Sequence, residues 1–251
     1  MNKEPNSEGR NRQRKYLCGL LNDALRRSED PNFSNAAFQM QRTGEVLSSL
    51  QRDKLVPPMY PFQSKNKSPQ VEVISPAEQR FGYLSGGATS PTESIGIVHI
   101  NPDFTRFLSD KEIATILLHE SFHVRHLQEI NRIIRKLPDN KFNRMVARMV
   151  RRKHELDADS YTFSIIGAEF HVSSLLKFYM LSMANFNPDV LKSQNSYIIR
   201  TLERKLHPEE MSLMERLQAF IDNFGCFHPT LVKRILNATK NGQNNMKQGQ
   251  E

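Results

Sequence analysis

The sequence has no tryptophan, only two cysteines and no long hydrophobic run. Cys18 and Cys226 cannot form a disulfide scaffold, and neither belongs to the CxxC pair of a zinc ribbon or a redox motif. The longest aliphatic stretch, Ile113 to Leu118, is six residues long and contains a threonine, whereas a membrane-spanning helix needs about 20 apolar residues. These absences exclude a disulfide-rich scaffold and a membrane-spanning helix.

The N-terminal region also lacks the apolar segment of a signal peptide. The short run Leu17–Leu21 is followed at once by Asn22 and Asp23. Because cysteines are few and no signal is apparent, we expect a cytoplasmic, reducing location. Secretion by a route that needs no cleaved signal stays open.

What the sequence does have is enough apolar material for a folded core. Of its 251 residues, 38% are hydrophobic, which predicts one large domain or two small ones. Composition divides the chain into four parts, which are a disordered start over 1–11, N-terminal helices and a proline-rich loop over 12–70, the main domain over 71–240, and a disordered tail over 241–251.

The hydrophobic period predicts a small sheet within a mostly helical chain. The β-branched runs Val71–Ile74 and Ile95–Ile100, and a third run at 81–84, are typical of short strands. Ser109 and Glu112 form a capping box that opens a long helix. Periodicity and turn residues predict helices over 13–27, 35–50, 109–137, 139 or 140–167, 172–186, 189–206, 209–224 and 230–239.

The first capped helix contains the motif His-Glu-Ser-Phe-His, from His119 to His123. Residues four apart lie on one face of a helix, so both imidazoles can reach one metal ion. Glu120 lies beside them and can take a proton from water without being a ligand. The apolar run before the motif predicts that this face is buried. The alternative is that both histidines are ordinary helix residues.

A catalytic zinc ion with two histidine ligands needs a third protein ligand and keeps its fourth position for water. Glu155 and Asp159 are four apart and share one face of the second long helix. We expect Glu155 to be the third ligand and Asp159 to accept the second ring N–H of a ligand histidine. The competing interpretation makes Glu155 a surface carboxylate paired with Arg151 and Lys153.

Three nearby polar residues are not expected to bind the metal. Asp157 points elsewhere on its helix, and His154 is expected to face solvent or to cap the helix. His126 lies three residues after His123 on the same face. It either supports a ligand or simply packs.

Positive charge is concentrated between Arg125 and Lys153. This segment has ten Lys or Arg against Glu129 and Asp139, a balance of +8 that equals the net charge of the whole chain. Such a surface fits a nucleic acid or an acidic partner. The alternative is the solvated face of two long helices.

The segment LSDKEIATILLHESFHVRH followed by HELDAD resembles the core of the HtpX/Oma-type zinc metallopeptidases, which belong to the gluzincin group. That family has HExxH on one helix and Glu-x-x-x-Asp on a later helix. The resemblance extends from about Val71 to Ile235 and makes 71–240 the metallopeptidase domain. It implies an α+β, mostly helical fold with a small β-sheet beside the HExxH helix. Many family members carry transmembrane helices, which this sequence lacks.

Two further matches imply additional site residues. The segments VEVIS, FGYLSGGA and IGIVHI are similar to the family's small sheet, where a Gly-Gly segment, here Gly86 and Gly87, leads into the strand edge that holds substrate. HPTLVKRI is similar to the family's HPxxxxRI segment, whose His and Arg, here His228 and Arg234, lie at the active site and stabilise the oxyanion. His207 also precedes proline, but no Arg-Ile or Arg-Leu follows at the same spacing.

Together the motifs predict a zinc-dependent endopeptidase that acts on a protein or peptide. His119, His123 and Glu155 would hold one Zn²⁺ per chain, with Glu120 as the general base. One alternative is a catalytically silent or regulatory protein that binds an acidic partner or nucleic acid through the basic helices of 125–153. Another keeps the metal but changes the bond, as in an amidase or a toxin-like protease with one intracellular target.

Overall fold

The computed structural model describes residues 7–33, 35–56, 60–61, 70–73, 87–89, 97–100, 102–138, 140–207 and 229–237. The helices in these ranges are α1 (Ser7–Glu29), α2 (Ala36–Arg52), α3 (Pro102–Thr105), α4 (Asp110–Arg135), α5 (Lys141–Ile166), α6 (Ala168–Met183), α7 (Pro188–Ser193), α8 (Asn195–Leu206) and α9 (231–237). The strands are β1 (Tyr60–Pro61), β2 (Gln70–Val73), β3 (Gly87–Thr89) and β4 (Ile97–Ile100).

The first helix starts earlier than composition predicts. α1 begins at Ser7, within the stretch 1–11 that was expected to be disordered. Glu8 and Arg12, one helical turn apart, form an ion pair there, and such pairs stabilise helices. The prediction of disorder is therefore corrected for residues 7–11.

Helices from both halves of the chain pack around one hydrophobic core. Leu17 of α1 and Leu47 of α2 belong to the same buried cluster as Leu117 of α4, Met180 of α6 and Ile198 of α8. The helices of the N-terminal region thus share one core with α4, the helix that carries the metal motif.

The four strands form one sheet in the order β1-β2-β4-β3. β3 pairs antiparallel with β4, whereas the other neighbours are parallel. β2 and β4 lie on the two β-branched runs that predicted strands, and the third run, at 81–84, lies outside the described residues. Gly87 pairs with Ile100 in the edge strand β3.

The predicted fold class, a mostly helical α+β fold with a small β-sheet beside the HExxH helix, is wrong in its α+β assignment. The described residues are mostly helical, and each strand has only two to four residues. Ile100 of β4 is buried in the core, and it is the one strand residue whose side-chain burial the structure describes. Helices and the segments that join them contribute the other residues of the described core.

Helix ends position the motif-bearing helices. The predicted capping box at Ser109 is present, with Glu112 reaching back to the Ser109 backbone N–H at 2.6 Å. Asn140 caps α5 by accepting a hydrogen bond from the backbone N–H of Asn143 at 2.8 Å. Gly167 ends α5 with φ of +98°, a conformation that favours glycine, and α6 begins at the next residue. α4 and α5 therefore form a helical hairpin, and α6 turns back against it.

The remaining helix predictions differ in detail. The helix expected over 189–206 is divided into α7 and α8 at Gln194. The helix expected over 230–239 is observed over 231–237, and the one expected over 209–224 lies outside the described residues. No helix in the described part of the chain is long and apolar enough to cross a membrane.

Candidate metal centre

The three predicted ligands converge where α4 crosses α5. The Nε2 atoms of His119 and His123 are 3.1 Å apart. One carboxylate oxygen of Glu155 lies 3.4 Å from Nε2 of His119, and the other lies 3.3 Å from Nε2 of His123. The three side chains are 8%, 12% and 13% exposed, so this group is nearly buried but still partly accessible to solvent.

These separations fit a shared metal ion. Ligand atoms that each lie 2.0–2.1 Å from a tetrahedral zinc ion are about 3.3 Å from one another. The donors here, two imidazole nitrogens and a carboxylate, are also those that zinc accepts in catalytic sites. The interpretation of Glu155 as a surface carboxylate does not fit its position between two histidine rings.

Asp159 lies behind His119, on the side of the ring away from His123. Its Oδ1 is 3.2 Å from Nδ1 of His119 and 2.9 Å from Nε2 of His171 on α6. Arg234 of α9 donates two hydrogen bonds to the same carboxylate, at 2.8 and 2.6 Å. Because Asp159 is completely buried, these partners compensate a charge that water cannot reach.

The electrostatics favour a positive charge at His119. Burial lowers the pKa of His119, but the carboxylates of Asp159 and Glu155 outweigh burial and raise it to about 9. Burial alone would raise the pKa of Asp159, yet Arg234 and the two histidines hold it well below its usual range. Burial lowers the pKa of His171 to about 4 despite Asp159. The same field that favours a proton on His119 favours a metal cation.

Among the residues that the structure describes, two groups of donors could hold a metal ion, and they share His119. The first contains His123 and Glu155, and the second contains Asp159 and His171. In the second group the carboxylate already pairs with the Arg234 guanidinium, so a cation there would lie next to a fixed positive charge. Charge therefore favours the first group, and the second is suited to orienting His119.

Glu120 lies next to the ligand histidines in the sequence and is only 8% exposed. It follows His119 directly on α4, so its side chain leaves the helix about 100° away from that ligand. A buried carboxylate at this place is consistent with a general base that is not a ligand. The apolar residues before it, Ile113 and Leu117 among them, are fully buried, as the sequence predicted.

The other histidines near the motif form an aromatic cluster rather than further ligands. His126 donates a hydrogen bond from Nδ1 to the Phe122 carbonyl at 2.9 Å, and its ring packs on the Phe122 ring. His154 packs against Phe122 and His123, so the expectation that it faces solvent or caps the helix is wrong. Burial and the neighbouring His123 lower the pKa of His154 to about 3, so it is neutral at pH 7.

The residues that the resemblance implied have different outcomes. His228 and Gly86 lie outside the described residues, so their roles stay predictions. Gly87 opens the edge strand β3, and its role in holding substrate also stays a prediction. Arg234 is present near the ligands, but its described hydrogen bonds go to Asp159. His207 lies against α1, where its Nε2 is 2.6 Å from an oxygen of Gln13.

Sequence reasoning missed His171. It belongs to no local motif, and it reaches Asp159 only because Gly167 lets α6 turn back on α5. The one sequence signal was the position of this histidine among the apolar residues of α6. In the fold, its ring lies beside Leu175 and Phe163. A histidine that is 3% exposed needs a polar partner.

A second missed feature connects α4, the helix of two candidate metal ligands, to the core. Lys177 of α6 is 1% exposed, and its Nζ lies 2.8 Å from Glu112 and 2.7 Å from Asp23. Glu112 thus caps α4 and also neutralises a buried lysine. A single lysine within an apolar helix was a usable signal, because buried lysines are almost always paired.

No protein-family model, curated protein or solved structure matches this chain. The likeness to the HtpX/Oma-type peptidases therefore depends on the quoted motifs, and the geometry of the metal centre has to support a function by itself.

Proposed function

We propose that this protein is a zinc-dependent endopeptidase of the gluzincin type. The observation that carries the proposal is the spacing of His119, His123 and Glu155, whose donor atoms are 3.1 to 3.4 Å apart. Two imidazoles and one carboxylate leave a fourth position for water, which is the arrangement of catalytic rather than structural zinc sites. The adjacent buried Glu120 supplies the base that such chemistry needs.

Zinc in this site would supply a Lewis acid for the peptide carbonyl and would lower the pKa of a water molecule. Glu120 would take a proton from the water whose oxygen attacks the peptide carbonyl carbon, and would pass it to the amine nitrogen as the C–N bond breaks. Asp159 keeps Nδ1 of His119 facing away from the ligand side, and Arg234 and His171 hold Asp159 in place. His228 would stabilise the negative charge that develops on the carbonyl oxygen.

The variant Glu120→Gln distinguishes the role of the general base from that of the metal ligands. Because Glu120 is not a ligand, this variant should retain zinc and fold while losing nearly all hydrolysis. Glu169→Gln is the matched control, since Glu169 is exposed on α6. Zinc is measured by mass spectrometry after dialysis. Hydrolysis is measured as new peptide termini in a peptide library made from a whole proteome, with wild type and variant incubated in parallel.

Three outcomes would contradict the proposal. Wild-type protein that binds no zinc would contradict the metal assignment. Equal cleavage by wild type and Glu120→Gln would contradict the role of Glu120 as the general base. Zinc-loaded wild type that produces no new termini would favour the silent binding protein or the amidase over an endopeptidase.

A further inference from the structure

The tip of the α4–α5 hairpin carries exposed apolar side chains. In the part of the chain that the structure describes, eight large hydrophobic residues are exposed, and four of them lie here. Phe142 and Met149 are 66% and 61% exposed, and Ile133 and Met145 are 42% and 38% exposed. We call these four residues and the basic residues around them the hairpin tip. Apolar groups concentrated in this way mark a contact surface more often than scattered ones do.

The helical period orders these side chains. Phe142, Met145 and Met149 are spaced i, i+3 and i+7, so they form one stripe along the first turns of α5. The neighbouring row on the same helix contains Lys141 and Arg148. α5 thus presents an apolar stripe flanked by a basic row.

The turn between the helices adds to the same charge. Arg132 and Lys136, at the end of α4, and Lys141, at the start of α5, are all exposed. The whole segment 125–153 has a balance of +8. Any partner of this surface has to be negatively charged and has to accept apolar side chains.

We propose that the hairpin tip binds the surface of a membrane that contains anionic phospholipids. An apolar stripe with basic residues beside it is the pattern of helices that lie in the headgroup region, where Phe and Met enter the acyl boundary and Lys and Arg contact the phosphates. The side chains project from a convex helix instead of lining a groove, so a fluid surface that deforms around them suits them better than a rigid partner does.

Other occupants fit less well. A nucleic acid would use the basic row, but it leaves the exposed Phe and Met stripe without a role. A second copy of this chain would bring the same positive charges face to face in a symmetric contact. The proposal does not depend on the metal centre, so Glu120→Gln should bind vesicles as wild type does.

Co-sedimentation of the full chain with vesicles tests this surface. The vesicles are phosphatidylcholine with or without about 30% phosphatidylserine. We expect binding to the anionic vesicles to be about tenfold tighter or more, and to weaken as salt is added. A duplex DNA and a single-stranded RNA oligonucleotide of random sequence are tested in parallel.

Two sets of substitutions separate the apolar and charged contributions. Phe142→Gln with Met149→Gln should weaken vesicle binding about tenfold or more. The matched control is Tyr197→Gln on α8, at a residue that is 65% exposed. This control should leave vesicle binding unchanged. The affinity for anionic vesicles should fall about fivefold for each positive charge removed when Arg132→Gln, Lys136→Gln and Lys141→Gln are combined. Thermal unfolding of each variant checks that the fold is retained.

The proposal is overturned by any of three results. The first is no binding to phosphatidylserine vesicles at low salt. The second is a Phe142→Gln/Met149→Gln variant that binds as tightly as the Tyr197→Gln control. The third is oligonucleotide binding that is tighter than vesicle binding and is indifferent to the apolar substitutions.

Discussion

The middle of the α4–α5 hairpin and its tip are built from the same two helices, yet their charged residues have opposite surroundings. In the middle, Asp159 meets Arg234 and two histidines, and all of these are buried or nearly so. At the tip, positively charged lysines and arginines are exposed to solvent beside Phe142 and Met149. The difference comes from α6 and α9, which cover the middle and contribute partners from far along the chain. Polar helix residues become a chemical site where other elements enclose them.

The largest expected effect is at a ligand in the middle of the hairpin. Glu155→Ala removes one of three donors, so bound zinc should fall from one ion per chain to almost none. Asp157→Ala, an exposed position on the same helix, should keep full zinc. Mass spectrometry of dialysed proteins measures both. Full zinc in Glu155→Ala would show that Glu155 is not the third ligand.

A smaller but still large effect is expected behind the ligands. Arg234→Met leaves the completely buried Asp159 without its bidentate partner, so the free energy of unfolding should fall by about 3–5 kcal/mol. Lys233→Met next to it is exposed and should change stability by less than about 0.5 kcal/mol. Urea denaturation in the presence of a chelator measures this without a contribution from zinc. Equal stability of the two variants would contradict the role of Arg234 in compensating Asp159.

An intermediate effect is expected at His171, which we expect to influence zinc binding only through Asp159. His171→Leu removes the hydrogen bond at 2.9 Å and should lower zinc affinity about 10–100-fold, the range for outer partners of metal ligands. His171→Asn keeps an N–H donor, and we expect it to restore part of the affinity. Competition with a chromogenic chelator measures both constants. A purely structural role would lower stability in both variants and leave zinc affinity unchanged.

The smallest effect is expected from the tip on the middle. Phe142→Gln with Met149→Gln alters exposed side chains, so zinc content should be unchanged and the free energy of unfolding should shift by less than about 0.5 kcal/mol. The same zinc and urea measurements apply. Loss of zinc in this variant would mean that the two regions are coupled rather than independent.

Local patterns predicted the parts of the centre that depend on one or two helices. The i, i+4 spacing was sufficient to pair His119 with His123 and Glu155 with Asp159, because a helix turns by the same angle at every residue. The capping box at Ser109 was predicted for the same reason, since its hydrogen bonds join residues three apart.

The errors concern contacts between distant segments. The β-branched runs do pair as strands, but the described residues are mostly helical, so the fold is not α+β. His154 was expected to face solvent or to cap the helix, but it packs on Phe122 and His123 because α4 and α5 lie against each other. No local period indicates which faces of two helices will meet.

The sequence by itself determined the donor types, their helical spacing and the concentration of positive charge near the hairpin turn, since these follow from residue identity and the geometry of one helix. Only the tertiary structure decided that Glu155 would come within 3.4 Å of both histidines and that Arg234 and His171 would converge on Asp159. Those contacts join residues up to 75 positions apart, and the hydrophobic core that brings their helices together is a property of the whole chain.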